Sequence, residues 1–285
     1  MAAVLAPGLY IVATPLGNLG DLSARAAEVL RQADLIACED TRQTRKLLAH
    51  LALERPTISY HEHNEAERTP ELLERLRAGL RIALVSDAGT PLISDPGYRL
   101  VRAALDAGIL VVPIPGPSAV VAALSAAGLR TESFYFGGFL PHKQGERRRL
   151  LETLGGVPGT LVFYEAPHRI VEALADIETA LHDPPVVIAR ELTKVHEEFL
   201  RGAASEVRVE LQRRESVKGE ITLLIGPRTA RRPEEPLADA VRRYQQQGLS
   251  PMEALKRAAR ERGMSKREAY RMMRELAGGD TAASK

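Results

Sequence analysis

Between residues 9 and 114 the chain repeats one pattern: a short apolar run, a turn rich in Gly, Pro and Asp, then a helical stretch. Residues 9–13, 34–38, 57–60, 81–86 and 109–114 read as strands. Helices are predicted between them: from a cap at Asp21 or Ser23 through Ala33, from just after Arg42 to about His50, over 69–78 with Pro70 at its start, and over 96–107 before Gly108. Strands that alternate with helices in this way are wound in parallel, each helix serving as a crossover. The first part of the chain is therefore predicted to be a parallel α/β sheet.

A second unit is predicted from Ser118, with a helix over 118–127 and a strand over 134–137. A basic loop follows, Pro141-His-Lys-Gln-Gly-Glu-Arg-Arg-Arg149. Further strands are expected at 160–165, 186–190, 197–201 and 220–225. Several lie close together without an intervening helix, which predicts a mixed or antiparallel sheet. Residues 227–236, rich in Arg, Pro and Glu, read as a linker. Beyond them Gly248-Leu-Ser-Pro-Met-Glu253 and Gly263-Met-Ser-Lys-Arg-Glu268 repeat one signal: Gly ends a helix, Ser caps the next, and Glu three residues later completes a capping box. Three short helices follow, near 237–247, 251–262 and 266–277. The predicted organisation is an N-terminal α/β domain (1–115), a second α/β domain (116–228) and a basic helix-turn-helix-like domain (237–278).

Charge divides the chain along the same lines. The whole carries a net charge of +2. Residues 227–285 hold 14 Lys/Arg against 8 Asp/Glu, a surplus of 6 positive charges, and the remaining 25 basic and 29 acidic residues leave the rest at −4. An acidic body with a basic tail suggests an anion-binding appendage, and Lys266, Arg267, Arg271 and Arg274 on the third helix suit phosphate contacts. A helical cap or a dimerisation element is the alternative. Other classes are excluded more firmly. With aromatics at 4% and no Trp, a base-stacking sheet of the RRM or OB kind is not expected. The single cysteine, Cys38, excludes an internal disulfide and a multi-cysteine zinc site. No signal peptide and no membrane span is read, so a cytoplasmic location is expected.

Three loops fall at predicted strand ends: Thr14-Pro-Leu-Gly-Asn-Leu-Gly20, Ser86-Asp-Ala-Gly-Thr-Pro91 and Pro113-Ile-Pro-Gly-Pro-Ser-Ala119. Open α/β sheets bind ligands at that edge, where loop backbone groups are free to meet them. Ser118 stands where it can cap the following helix, whose first amides favour a carboxylate or another polar ligand. Neither Gly-x-Gly-x-x-Gly after the first strand nor Gly-x-x-x-x-Gly-Lys-Ser/Thr occurs, so neither an ordinary dinucleotide site nor a P-loop is expected. The pair His61 and His63 has no third ligand in its segment, and no metal is assigned.

Several longer strings resemble a known family. The loops are similar to those of the tetrapyrrole methylase superfamily. Ala13-Thr-Pro-Leu-Gly-Asn-Leu-Gly-Asp21, Cys38-Glu-Asp-Thr-Arg42, Tyr60-His-Glu-His-Asn64, the segment 81–97, Phe163-Tyr-Glu-Ala-Pro-His-Arg169 and Ala189-Arg-Glu-Leu-Thr-Lys194 resemble its ribosomal small-subunit methyltransferase I group. The resemblance runs over almost the whole chain. It implies two α/β domains with an S-adenosylmethionine cleft between them, a small C-terminal three-helix domain, and 2′-O-methylation of a cytidine ribose in 16S rRNA, on the RNA or on the small ribosomal subunit. A homodimer is compatible with it. Asp87, Gly89, Thr90, Ile93, Ser118, Ala119, Tyr164 and Leu192 would surround the cofactor. Where superfamily relatives carry Gly-Asp-Pro this chain reads Gly89-Thr-Pro91, so the main polar contact falls to Thr90 or is displaced to Asp87.

Removal of the ribose proton requires an acceptor, and Glu39 or Asp40, at the end of the second strand, is the candidate. Acids at a helix start that serve only the dipole are the alternative there. Arg42, His63, Lys143, His168 and Arg169 are candidate RNA contacts, together with Lys266, Arg267 and Arg271 of the tail, and Arg147–Arg149 add charge to the basic loop. His168 and Arg169 could equally be a solvated helix start, from a helix beginning at Pro167. Two other functions remain open at this level: a corrin-type small-molecule methylase of the same fold, and a ligand-sensing nucleic-acid-binding regulator.

Overall fold

The strands of the first half are apolar on both faces because helices cover both. In the computed structural model, which describes residues 4–227, 236–262 and 264–279, five strands pair in parallel: β1 (Gly8–Val12), β2 (Leu35–Cys38), β3 (Thr57–Ser59), β4 (Arg81–Val85) and β5 (Val111–Ile114). Their order is β3-β2-β4-β1-β5. Four helices connect them: α1 (Ala24–Gln32), α2 (Thr41–His50), α3 (Glu65–Arg77) and α4 (Tyr98–Asp106). Successive side chains of a strand alternate between faces. Accordingly Tyr10, Val12, Ile36, Cys38, Ala83 and Val85 pack with α1 and α2, while Leu9, Leu35, Ala37, Ile82 and Leu84 pack with α3 and α4.

The second sheet has the order β6-β7-β10-β8-β9. Its strands are β6 (Phe134–Phe139), β7 (Thr160–Glu165), β8 (Pro185–Arg190), β9 (Glu198–Ala203) and β10 (Ile221–Ile225). It is mixed: β6 runs parallel to β7, and the other pairs are antiparallel. One face is covered by α6 (Gln144–Leu154), α7 (Ile170–Leu181) and α8 (Ala204–Gln212). The other packs on α5 (Ala119–Ala127), and Leu16 from the first half joins that layer. The described residues form two compact units, one within 1–227, which holds both sheets, and one within 228–285. The smaller unit consists of α9 (Leu237–Gln246), α10 (Pro251–Glu261) and α11 (Lys266–Gly279). Its core is rich in small residues, with Ala240, Ala254, Ala258, Ala259 and Ala269 around Val241, Tyr244 and Leu255. Among the described residues no helix is long and apolar enough to cross a membrane.

Four sequence expectations need correction. The basic loop over 141–149 is helical from Gln144, because Arg147 turns inward and donates from Nε to Asp176 at 2.7 Å, a pair buried on both sides. Helix α3 begins at Glu65, not Thr69. Asn64 Oδ1 accepts the His61 amide at 2.8 Å and fixes the turn ahead of it, so Pro70 lies one turn inside the helix. Helix α7 begins at Ile170, not Pro167. Helix α8 was not expected; it follows β9 directly, with Glu206 accepting the Ala203 amide at 3.0 Å. The capping boxes of the tail appear as expected: Glu253 accepts the Ser250 amide at 3.3 Å and Glu268 the Ser265 amide at 2.8 Å. Gly248 takes the left-handed conformation that ends a helix (φ +90°), whereas Gly263 and most of the expected linker lie outside the described residues.

Candidate functional site

At the carboxyl edge of the first sheet the three Gly/Pro loops are stitched together. Thr14 and Gly89 exchange backbone hydrogen bonds, 2.8 Å from the Thr14 amide and 3.0 Å from the Gly89 amide. The Thr14 hydroxyl donates to the Ser86 carbonyl at 3.1 Å, and the Thr90 hydroxyl to the Pro117 carbonyl at 3.0 Å. Gly89 has a φ of +83°, which its lack of a Cβ permits. A Cβ there would also sit 3.2 Å from Leu16.

Beside these loops lies a cavity of about 320 Å³, whose walls come from both sheets. The first half contributes Leu16, Ala88, Thr90 and the run from Ile93 to Asp95. The second contributes the ends of β7 and β8 and the start of β10, which meet at one end of that sheet because β10 runs antiparallel to its neighbours, with Ile221 paired to both Glu165 and Arg190. Of the residues expected around a cofactor, Thr90, Ile93, Ser118, Ala119, Tyr164 and Leu192 line this cavity together. Asp87 and Gly89 do not. Gly89 is spent on the bridge to Thr14, and Asp87 accepts the Asp40 amide through Oδ1 at 3.0 Å. Ser118 occupies the N-cap of α5 but makes no capping hydrogen bond, which corrects the expectation that it caps and leaves the first amides of the helix without that partner.

Two short segments border the cavity in the same way. Leu92 and Ser94 are left-handed (φ +72° and +67°), as are Glu191 and Thr193 (φ +51° and +66°). The residue between each pair, Ile93 or Leu192, lines the cavity. Each such residue costs roughly 1–2 kcal/mol without a glycine, and strain of this kind concentrates where a side chain must be aimed. Lys194 ties the second segment down by donating to Glu191 at 2.9 Å and Glu220 at 3.1 Å. Its alkyl chain covers Gly17 so closely that a Cβ there would lie 2.4 Å from Lys194 Cγ.

Sequence reasoning missed several lining residues: Ser94, Asp95, Phe139, Glu165 and Glu220. Asp95 had a signal, since Ser94-Asp-Pro-Gly97 directly continues the loop after β4. Phe139 had none, because it reaches the cavity only across the irregularity at Gly137 and Gly138 in β6. The lining includes three carboxylates and, among the described residues, no Lys, Arg or His. Glu165 is balanced by Arg169, 3.5 Å away, and burial pushes its carboxyl up. Glu220 is balanced by Lys194. Burial pushes the Asp95 carboxyl up as well, opposed by a hydrogen bond with Ser86 and reinforced by the charge of Asp87.

The candidate proton acceptors separate clearly. Asp40 caps α2 by accepting the Arg42 amide at 2.8 Å and pairs with the Arg42 guanidinium; these hydrogen bonds hold its carboxyl at about 2. Burial instead pushes Glu39 up, with Asp87 and Asp95 adding to the effect. Among the residues expected to meet RNA, Arg42 is exposed but engaged with Asp40, and Lys143 pairs with Glu146 at 3.1 Å on the surface. His63 and His168 are exposed. Arg169 is a correction: it is buried, and its Nη2 donates to the carbonyls of Leu140 at 2.8 Å and Pro141 at 3.0 Å. Arg147 is removed from solvent by Asp176, and Arg148 donates to the same carboxylate at 2.6 Å. In the smaller unit Lys266, Arg267, Arg271 and Arg274 are all exposed on α11.

Comparison with known proteins gives concordant findings. Residues 8–208 match the family model described as Tetrapyrrole (Corrin/Porphyrin) Methylases. A protein of Mesorhizobium japonicum named ribosomal RNA small subunit methyltransferase I is 46% identical over 276 residues, covering 96% of this chain and 94% of that protein. One of the same name from Synechocystis is 47% identical over 273 residues, covering 94% and 98%. Among solved structures, the uroporphyrin-III C-methyl transferase of Thermus thermophilus, complexed with S-adenyl homocysteine, superposes with a TM-score of 0.54 at 20% identity, covering 77% of this chain and 97% of that one. At that identity the likeness is one of fold.

Proposed function

The chain belongs to the tetrapyrrole (corrin/porphyrin) methylase family, within its ribosomal RNA small subunit methyltransferase I group, and from that premise we propose that it transfers a methyl group from S-adenosylmethionine to the 2′-hydroxyl of a cytidine in 16S rRNA. The observation that carries this reading is the cavity. Its size suits a small-molecule ligand, its walls are largely apolar, and its charged lining is acidic. Such a site favours a cation over a phosphate. S-adenosylmethionine fits, with a cationic sulfur, an apolar-stacking adenosine and an amino-acid end whose carboxylate suits the uncapped start of α5 at Ser118 and Ala119.

When bound, the cofactor supplies an electrophilic methyl carbon on a sulfur that departs neutral, so no acid is needed for the leaving group. The protein must place the ribose oxygen in line with that carbon, exclude water and accept the ribose proton. Thr90, Ile93, Ser118, Ala119, Tyr164 and Leu192 form the holding surface. Glu39 suits the role of proton acceptor, since its raised carboxyl binds a proton more readily than Asp40, which Arg42 keeps ionised. Asp87 holds the Asp40 amide and so fixes the turn carrying both acids. Exposed Lys266, Arg267 and Arg271 supply phosphate contacts.

The test is transfer of methyl label from S-adenosylmethionine to small ribosomal subunits prepared without the modification. Label on the 2′-oxygen of one cytidine is expected. Absence of label in preparations that bind the cofactor by calorimetry would overturn the assignment.

A further inference from the structure

The cavity's three acids are not equivalent. Glu165 has Arg169 as counterion, and Glu220 has Lys194 and lies largely in solvent. Asp95 has no such cation among the described residues: its partner is the Ser86 hydroxyl, and the charge acting on it is another carboxylate, Asp87. A half-buried carboxylate without a cation, held beside other acids in an apolar cavity, is itself a binding element for a cation.

Aromatic rings share its cavity. Tyr164 and Phe139 both line the cavity, with ring centroids 5.6 Å apart in an edge-on arrangement. The Tyr164 phenol is pushed up to about 12, first by burial and next by the negative charge of Asp95. It therefore stays protonated and adds no second negative charge there. A carboxylate without a cation, in a cavity that aromatic rings also line, attracts a diffuse organic cation by charge and by cation–π contact. The Leu92–Ser94 segment, left-handed at both ends, immediately precedes Asp95.

We propose that Asp95, with Tyr164 and Phe139, is the charge-selective element of this cavity, favouring the sulfonium form of the cofactor over its neutral-sulfur product. This rests on the reading of the cavity as an S-adenosylmethionine site. The two ligands share the adenosine and amino-acid ends and differ at sulfur by one methyl group and one positive charge. Methyl transfer removes that charge from the bound molecule: the carbon–sulfur bond breaks, its electron pair stays on sulfur, and the ribose oxygen takes the methyl as its proton leaves to the acceptor. The favourable interaction with Asp95 then ends, which promotes release of the product.

Calorimetry of the whole protein with S-adenosylmethionine, S-adenosylhomocysteine and sinefungin, which carries an amine in place of the sulfonium, tests this for the wild type and Asp95→Asn. The two cationic ligands should lose about tenfold in affinity in the variant, the scale of one partly screened charge interaction, while the neutral product should change less than about twofold on the same scale. Equal losses for all three would place Asp95 at the shared amino-acid end and overturn the proposal; so would no loss for any. Should the variant fail to fold, the wild type still decides. Added KCl must weaken S-adenosylmethionine more than S-adenosylhomocysteine, and identical salt responses overturn the proposal. If neither ligand binds the wild type, the cofactor reading falls with it, whereas binding of both without discrimination removes only the role of Asp95.

Discussion

Glu39 and Asp40 are adjacent in sequence and opposite in character. Asp40 is spent on the start of α2 and on Arg42, whereas Glu39 lies beside Asp87 and Asp95, where burial and like charge favour its protonated form. Glu39→Gln should lower kcat by about 100-fold or more, the usual scale for a lost general base, while leaving cofactor affinity nearly unchanged; single-turnover rates and calorimetry check the two halves. Asp40→Asn should change kcat little, because Asn also caps a helix. The wild-type rate should rise with pH through an apparent pKa above the ordinary Glu range, since the acceptor must be ionised, and that limb should vanish in Glu39→Gln. Stability moves in the opposite direction. A carboxyl whose pKa is raised on folding favours the folded state below its unfolded pKa and loses that contribution as pH rises through the folded one. Glu39→Gln should therefore raise Tm at neutral pH and give no gain below about pH 4. The sequence placed both acids at a strand end but could not rank them, because the ranking depends first on the burial of Glu39 and then on Asp87 and Asp95 (47 and 55 residues beyond Asp40) being close in space.

Among the elements, α6 shows how a buried partner overrides local appearance. Its first turns are dense in Arg and look like a solvent-exposed loop. Arg147 instead lies in the core against Asp176 of α7, with Gln144 and Arg148 donating to the same carboxylate. Arg147→Ala should cost about 3–5 kcal/mol, because it leaves a buried carboxylate short of its counterion; urea unfolding followed by circular dichroism measures it. Arg149, exposed on the same helix, should cost less than about 0.5 kcal/mol when changed to Ala. Strands β1 to β5 were legible within one or two residues, since apolar runs bounded by Gly and Pro are local signals. The start of α3 was not, because Asn64 organises the turn before it from outside the helical pattern.

At the scale of the whole molecule, charge and compactness divide the chain alike. The smaller unit has its own core and carries exposed Lys266, Arg267 and Arg271 on α11. Deleting residues 233–285 should weaken RNA binding far more than cofactor binding; equal loss of both would make the tail a structural part of the body. Replacing Lys266, Arg267 and Arg271 together by Ala should flatten the salt dependence of RNA affinity. The slope should fall by about 0.7 log units per log unit of salt for each phosphate of single-stranded RNA that is no longer neutralised. By itself the sequence determined the alternation of strand and helix, the three Gly/Pro loops at one sheet edge, the capping boxes of the tail and the family. These are signals of period and turn chemistry, carried by residues a few positions apart. Only the tertiary structure decided that Phe139, Glu165 and Glu220 join those loops around one cavity, that Arg147 and Arg169 are buried, and that Asp95 has a hydroxyl and a like charge beside it where its neighbours in the cavity have cations. Burial, pairing and proton affinity depend on what lies across a few ångströms of space, and in this fold those neighbours are commonly tens of residues apart along the chain.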